Sequence, residues 1–417
     1  MVRKMAALLL LLTLLMCAAP AACAEGGDGV KKDDIVYLGS WQDAPLRWIV
    51  LDAENTNAGD EGVFLLSESA LANQGVVYSM SKAVWQGSEG QAWCADFAAQ
   101  RFSPAERAAI PAVSKREEPL QRYGLSWGAV TLENEQVFFP SVVELGDMIG
   151  ANDGDPGLSA AYLGDGKSAY YWLRTPHGTH TEYAGLVLEE DQVHDFLVWG
   201  NWGARPATNL GGEALLYLSA AERALAPGEI GAMPASANGE WKATVTDPAL
   251  TLTVSETRFS DGLLTVRYEN APVGAWISVL ARDAGGKAVG YGCLAQAQSA
   301  AGEVRFAPNV PEEGTLLLFA EQDNGVKNTN TASVPVTLSW TEEAPPTQSG
   351  EEDAPFEADT ATESAAPAGE AAPSESEKTL LRDFLRETWM FAAAFVFVAI
   401  LAVAVAVMQA RERRRRW

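Results

Sequence analysis

Between residues 33 and 225 short apolar runs alternate with turn residues. DIVYLGSW and LRWIVLDAE each alternate apolar and polar positions, as half-buried strands do, and a turn around Asp43–Pro45 separates them. GVFLLSES predicts a third strand. The period then changes in GQAWCADFAAQRFSPAERAAI, where Trp93, Phe97 and Phe102 fall near one helical face. Ser103 followed by Pro104 supplies an N-cap serine with proline at the first helical position. VFFPSVVELGDMI repeats a strand and then a short helix, and EYAGLVLEEDQVHDFLVW reads as two strands joined at Glu190–Gln192. Strands mixed with short helices, without a βαβ rhythm, predict an α+β domain over residues 33–225.

From 243 to 340 the period is that of strands throughout. LTLTVS, LLTVRYEN, AWISVLARD, AVGYGCLAQ, EVRFAP, TLLLFAEQ and ASVPVTLSW are separated by turn sequences such as SDG, DAGGK and DNG. Short alternating runs of this kind predict an all-β, Ig-like sandwich, without the Cys…Trp…Cys pattern of antibody domains. Between the two stretches, ALLYLSA predicts one closing strand followed by a loop.

The two ends follow other rules. Residues 1–24 carry Arg3 and Lys4, an apolar run and small residues before AACAE, which is the form of a secretory signal peptide. Residues 389–408 hold no charge, and at 1.5 Å per residue they would span about 30 Å, the thickness of a bilayer core. The arginine-rich tail at 409–417 then belongs on the cytoplasmic side. These signals predict a single-pass cell-membrane protein with its N-terminus outside and a C-terminal transmembrane helix.

Composition adds a stalk. Much of the formal charge of −25 lies in residues 341–380, rich in Pro, Glu, Ser and Ala, which cannot bury enough surface to offset their ordering entropy. That stretch is expected to be disordered, extended and self-repelling. The acidic balance argues against nucleic acid as a partner. After signal removal only Cys94 and Cys293 remain, and each is expected to be a small buried apolar residue rather than a nucleophile.

The chemistry-bearing residues gather in two segments, YYWLRTPHG and WGNWGARP. RWIVLD, FLLSES, AWCADF, VFFPSVVEL, YYWLRTPHG and GARPATNL follow one another in an order that resembles a family of uncharacterised domains on secreted and surface proteins of Firmicutes. That family is marked by W-W-L-R-S-P-G and V-R-P-A. Cys94 and Ala95 replace its usual leucine and asparagine, and Tyr171 replaces a tryptophan. The resemblance covers residues 33 to about 212. It implies a C-type-lectin-like head related to the formylglycine-generating enzyme fold, whose cysteines late in the domain are missing here.

The candidate binding residues are Trp172, Arg174, His177, Trp199, Trp202 and Arg205. Each arginine could hold a carboxylate or stack on a ring. The favoured reading is structural: buried arginines that staple loops while the tryptophans fill the core. Three apart on a strand, Trp199 and Trp202 cannot both face one ligand. His177, His180 and His194 fall in one short window near Glu182 and Asp195, and a metal site would need His194 to fold back onto HGTH. Solvated loop histidines are the commoner case, so neither metal nor cofactor is expected. No G-x-S-x-G elbow, phosphate loop or dinucleotide fingerprint appears, so no catalytic residue is assigned. The function expected is a membrane-anchored surface protein whose head binds an extracellular glycan, wall polymer or protein. The alternatives are a cell-envelope enzyme and a structural envelope component.

Overall fold

The computed structural model describes residues 29–340 apart from 55–61, 150–159, 161–162, 164–165, 189–191 and 311–312. Five β-sheets dominate it, the largest of 13 strands. Its nucleus is the antiparallel hairpin of Ile35–Trp41 and Ala44–Asp52, turned by Gln42 and Asp43, both at positive φ. Gly62–Ser67, Ala207–Gly211 and Val137–Phe138 extend the sheet on one side. On the other side Glu240–Thr246 runs parallel to Ile35–Trp41, with Ile35 opposite Glu240. The same strand lies parallel to Asn330–Ala332 and antiparallel to Leu215–Ala220. Beyond Asn330–Ala332 come Thr315–Gln322, Trp276–Arg282 and Ala288–Gln296. Thr253–Ser260, Leu263–Glu269 and Gly302–Phe306 form a separate three-stranded sheet.

The α+β expectation is corrected. Strands take 49% of the described residues and helices 9%, so the described part of the protein is mostly β. Among the described residues helix is confined to Glu89–Arg101, Pro104–Ala108 and the short turn at Val142–Ile149. The other apolar runs pair across long sequence distances, and one 13-stranded sheet continues from the first stretch into the second. Among the described residues no helix is long and apolar enough to cross a membrane. The segments read from the sequence as a signal peptide (1–24), a stalk (341–380), a membrane-spanning run (389–408) and a cytoplasmic tail (409–417) lie outside the described residues.

The local signals that survive are those with a specific partner. Ser88 caps the helix Glu89–Arg101 by accepting the Gln91 N–H. Ser103 and Glu106 form a capping box, and the Glu106 carboxylate also accepts the Gly39 N–H at 3.0 Å. Gly39 sits at φ 70°, where a Cβ would lie 2.6 Å from the Phe102 ring, so glycine is required there on both counts. Trp93 stacks on Phe97 at 5.2 Å, and Phe97 meets Phe102 edge-on at 5.7 Å, which ties this helix to Trp41 and Trp48 of the hairpin. Cys94 and Cys293 are both buried free thiols. Burial raises the Cys94 thiol well above its usual value and pushes Cys293 up to about 11, which leaves both as unreactive packing groups.

Candidate functional site

The two signature segments are neighbours. Tyr171–Pro176 is the centre of a five-stranded sheet, and Asn201–Ala204 runs parallel beside it with Tyr171 opposite Gly203. Trp172 is fully buried, and its indole N–H donates to the Val76 carbonyl at 2.7 Å. Its ring meets Tyr78 edge-on at 5.6 Å, and the Tyr78 hydroxyl donates to the Arg174 carbonyl at 2.9 Å. Arg205 is buried as well. Its Nε donates to the Ser67 carbonyl at 2.9 Å, and its guanidinium lies 5.2 Å from the Tyr171 ring, whose hydroxyl it also meets at 3.1 Å.

Arg174 is the hub of a buried ion network. One guanidinium nitrogen donates to the Phe139 carbonyl at 2.9 Å and to Glu144 Oε2 at 2.6 Å. The other donates to Glu144 Oε1 at 2.9 Å and to Glu117. Lys115 closes the ring by pairing with Glu144 and, at 3.4 Å, with Glu117. Burial alone would raise the Glu144 pKa, yet the charges of Arg174 and Lys115 hold it well below the usual carboxylate range. Burial likewise opposes the charge of Arg174, and Glu117 and Glu144 overcome it and raise its pKa. Trp172, Arg174 and Arg205 therefore face protein, with no surface offered to a ligand.

Trp199 is the exposed member of its pair, at 47%. Trp202 is half-buried, packed against Tyr170 at 5.1 Å and edge-on against Phe196 at 5.2 Å. His177 and His180 stack at 4.5 Å, and Asp195 rather than His194 completes a potential three-ligand group with them. His177 Nδ1 accepts the backbone N–H groups of Thr179 at 3.1 Å and His180 at 3.0 Å. A neutral ring that accepts at Nδ1 carries its proton on Nε2, the atom 4.0 Å from Asp195. The backbone of the HGTH loop thus engages Nδ1, while Nε2 lies beyond hydrogen-bond reach of Asp195. His194 stays largely in solvent beside Asp195.

One concave surface near these elements escaped sequence reasoning. A groove of about 490 Å³ lies along the helix Glu89–Arg101, walled by Ala92, Ala95 and Ala99 and bordered by Gln91, Asn134 and Arg107. Glu135 lines it, only 8% exposed. The carboxylate accepts the Trp85 indole N–H at 2.8 and 2.9 Å and the side-chain amides of Gln86 at 3.2 Å and Gln91 at 3.1 Å. Every one of these donors is neutral. Burial therefore dominates and raises the Glu135 pKa, and the Trp85, Glu133, Gln91 and Gln86 donors only partly oppose it. Such a group accepts a hydrogen bond when ionised and donates one when protonated. In LENEQVFF it reads as one more solvated acid. The signal that sets it apart is Asn134, whose positive φ breaks the alternation and turns Glu135 inward.

No curated protein and no solved structure matches the chain. Residues 60–212, which hold both signature segments and the Glu135 groove, match the model of a family described as a domain of unknown function, DUF6273.

Proposed function

We propose that the protein is a binding module displayed outside the cell, and that the Glu135 groove receives a hydroxyl- and amide-bearing polymer such as a cell-wall glycan. The location rests on the sequence signals at the two ends of the chain. The observation that carries the binding reading is a buried carboxylate, held only by neutral donors, in the wall of an open groove flanked by small side chains. Polar ligands are fixed by a few such groups in an otherwise apolar concavity. Gln91, Asn134 and Arg107 add donors and acceptors along the same groove. A raised carboxylate in a cleft also favours a second reading, an envelope enzyme with Glu135 as general acid.

Ala95→Trp tests the reading directly. Ala95 is an exposed helical position in the groove wall, so the large ring would fill the groove at little cost to the fold. Co-sedimentation with purified peptidoglycan is expected to weaken about tenfold or more, about 1.4 kcal/mol, with an unchanged melting temperature. Equal capture by the variant and the parent chain would show that the groove is not the site. Shortened glycan recovered from the pellet would move the assignment to the enzyme.

A further inference from the structure

We propose that Lys242 and Asn330 join in an intramolecular amide bond with loss of ammonia, and that Glu321 shuttles the proton between them. The two side chains come from parallel neighbouring strands, Glu240–Thr246 and Asn330–Ala332, with Thr244 opposite Asn330. Glu321 stands on the next strand, opposite Ala332. Lys242, Asn330 and Glu321 are all fully buried, an unusual fate for three polar side chains.

Each group sits where amide transfer needs it. Lys242 Nζ lies 3.4 Å from Asn330 Oδ1, one bond from the carbonyl carbon it would attack. Its other contacts are the Gly325 carbonyl at 3.0 Å and Asp323 Oδ1 at 3.5 Å. Burial lowers its pKa, against the opposing charges of Asp323 and Glu321, which brings the free amine within reach. The Asn330 oxygen also accepts the Asn324 N–H at 3.1 Å, a backbone donor placed to stabilise charge developing on that oxygen. On the opposite side of the amide, Nδ2 donates to Glu321 Oε1 at 3.5 Å. Tyr217 at 2.5 Å and Thr244 at 3.0 Å donate to the same carboxylate oxygen, and Tyr291 at 2.6 Å donates to the other. Glu321 is thereby aimed at the leaving nitrogen.

The balance is simple. The Lys242 ammonium gives one proton to Asp323, its amine forms a bond to Asn330 Cγ, and the attacking nitrogen then gives its second proton to Glu321. The Cγ–Nδ2 bond breaks as protonated Glu321 passes that proton to the departing nitrogen, and the ammonia released takes up the first proton from Asp323. One ammonium and one carboxamide become one secondary amide and one ammonium ion. No oxidant or cofactor is consumed, and Glu321 and Asp323 end as they began. Fixed proximity replaces a bimolecular encounter, and the buried setting keeps out water that would compete for the carbonyl.

A structural lysine, paired with Asp323 and left unreacted, is the competing account, and peptide mapping separates the two. A tryptic digest of the full chain, read by mass spectrometry, is expected to contain one branched peptide holding Lys242 and Asn330, lighter than its two parts by one ammonia. Asn330→Ala should abolish it, and Glu321→Gln should lower its yield about a hundredfold or more. Linear peptides with cleavage after Lys242 in the parent chain would overturn the proposal, and that outcome needs no variant to fold. Parent-level linkage in Glu321→Gln would overturn the role given to Glu321.

Discussion

Replacing Arg174 by alanine is expected to destabilise the protein by about 3–5 kcal/mol, the usual cost of removing one partner from a buried charge cluster. Glu144 would keep Lys115 but lose both of its bonds to the guanidinium at a fully buried position, and half-buried Glu117 would lose one. The Phe139 carbonyl would lose its donor as well. The same network predicts an acid limb. The folded-state pKa of Glu144 is depressed below its ordinary value of 4.5, so its contribution is present above that value and is lost as pH falls below it. Urea melts between pH 7 and pH 3 measure both effects. A stability equal to the parent's in Arg174→Ala would mean that the guanidinium is not the structural staple described here.

Trp172→Ala should cost a similar amount, about 3–5 kcal/mol, for a different reason. The ring is fully buried, lies edge-on to Tyr78 and bonds the Val76 carbonyl, so truncation leaves a cavity and an unpaired acceptor together. Its neighbours belong to a close-packed core that closes over the space only in part. Thermal melts of parent and variant measure the loss. A melting temperature within one or two degrees of the parent's would argue that Trp172 does not fill the core.

Much of the local structure was legible because its causes are local. The alternation in DIVYLGSW and LRWIVLDAE, the cap at Ser103 and the hairpin of Tyr183–Val187 with Val193–Leu197 all depend on residues a few positions apart. The α+β architecture was misread because the decisive pairings are remote. Ile35 opposite Glu240 is a contact across some two hundred residues, and nothing in either segment announces the other. Arg174 and Arg205 could be read as staples from the rings and prolines around them, although their partners Glu144, Glu117 and Ser67 could not be named. Glu135 was hidden by its acidic neighbours, and Lys242 by the plain appearance of a single lysine in the apolar run EWKATVT. In both, what counts is burial, which emerges only once distant strands close over the side chain.

The binding account stands or falls on where a ligand protects the backbone. Amide hydrogen exchange of the chain with and without a soluble peptidoglycan fragment reads this directly. The account predicts slowed exchange in residues 87–99 and 133–137, the two walls of the Glu135 groove, with residues 196–202 unchanged. Protection confined to 196–202, around Trp199 and Trp202, or no protection anywhere, would contradict it.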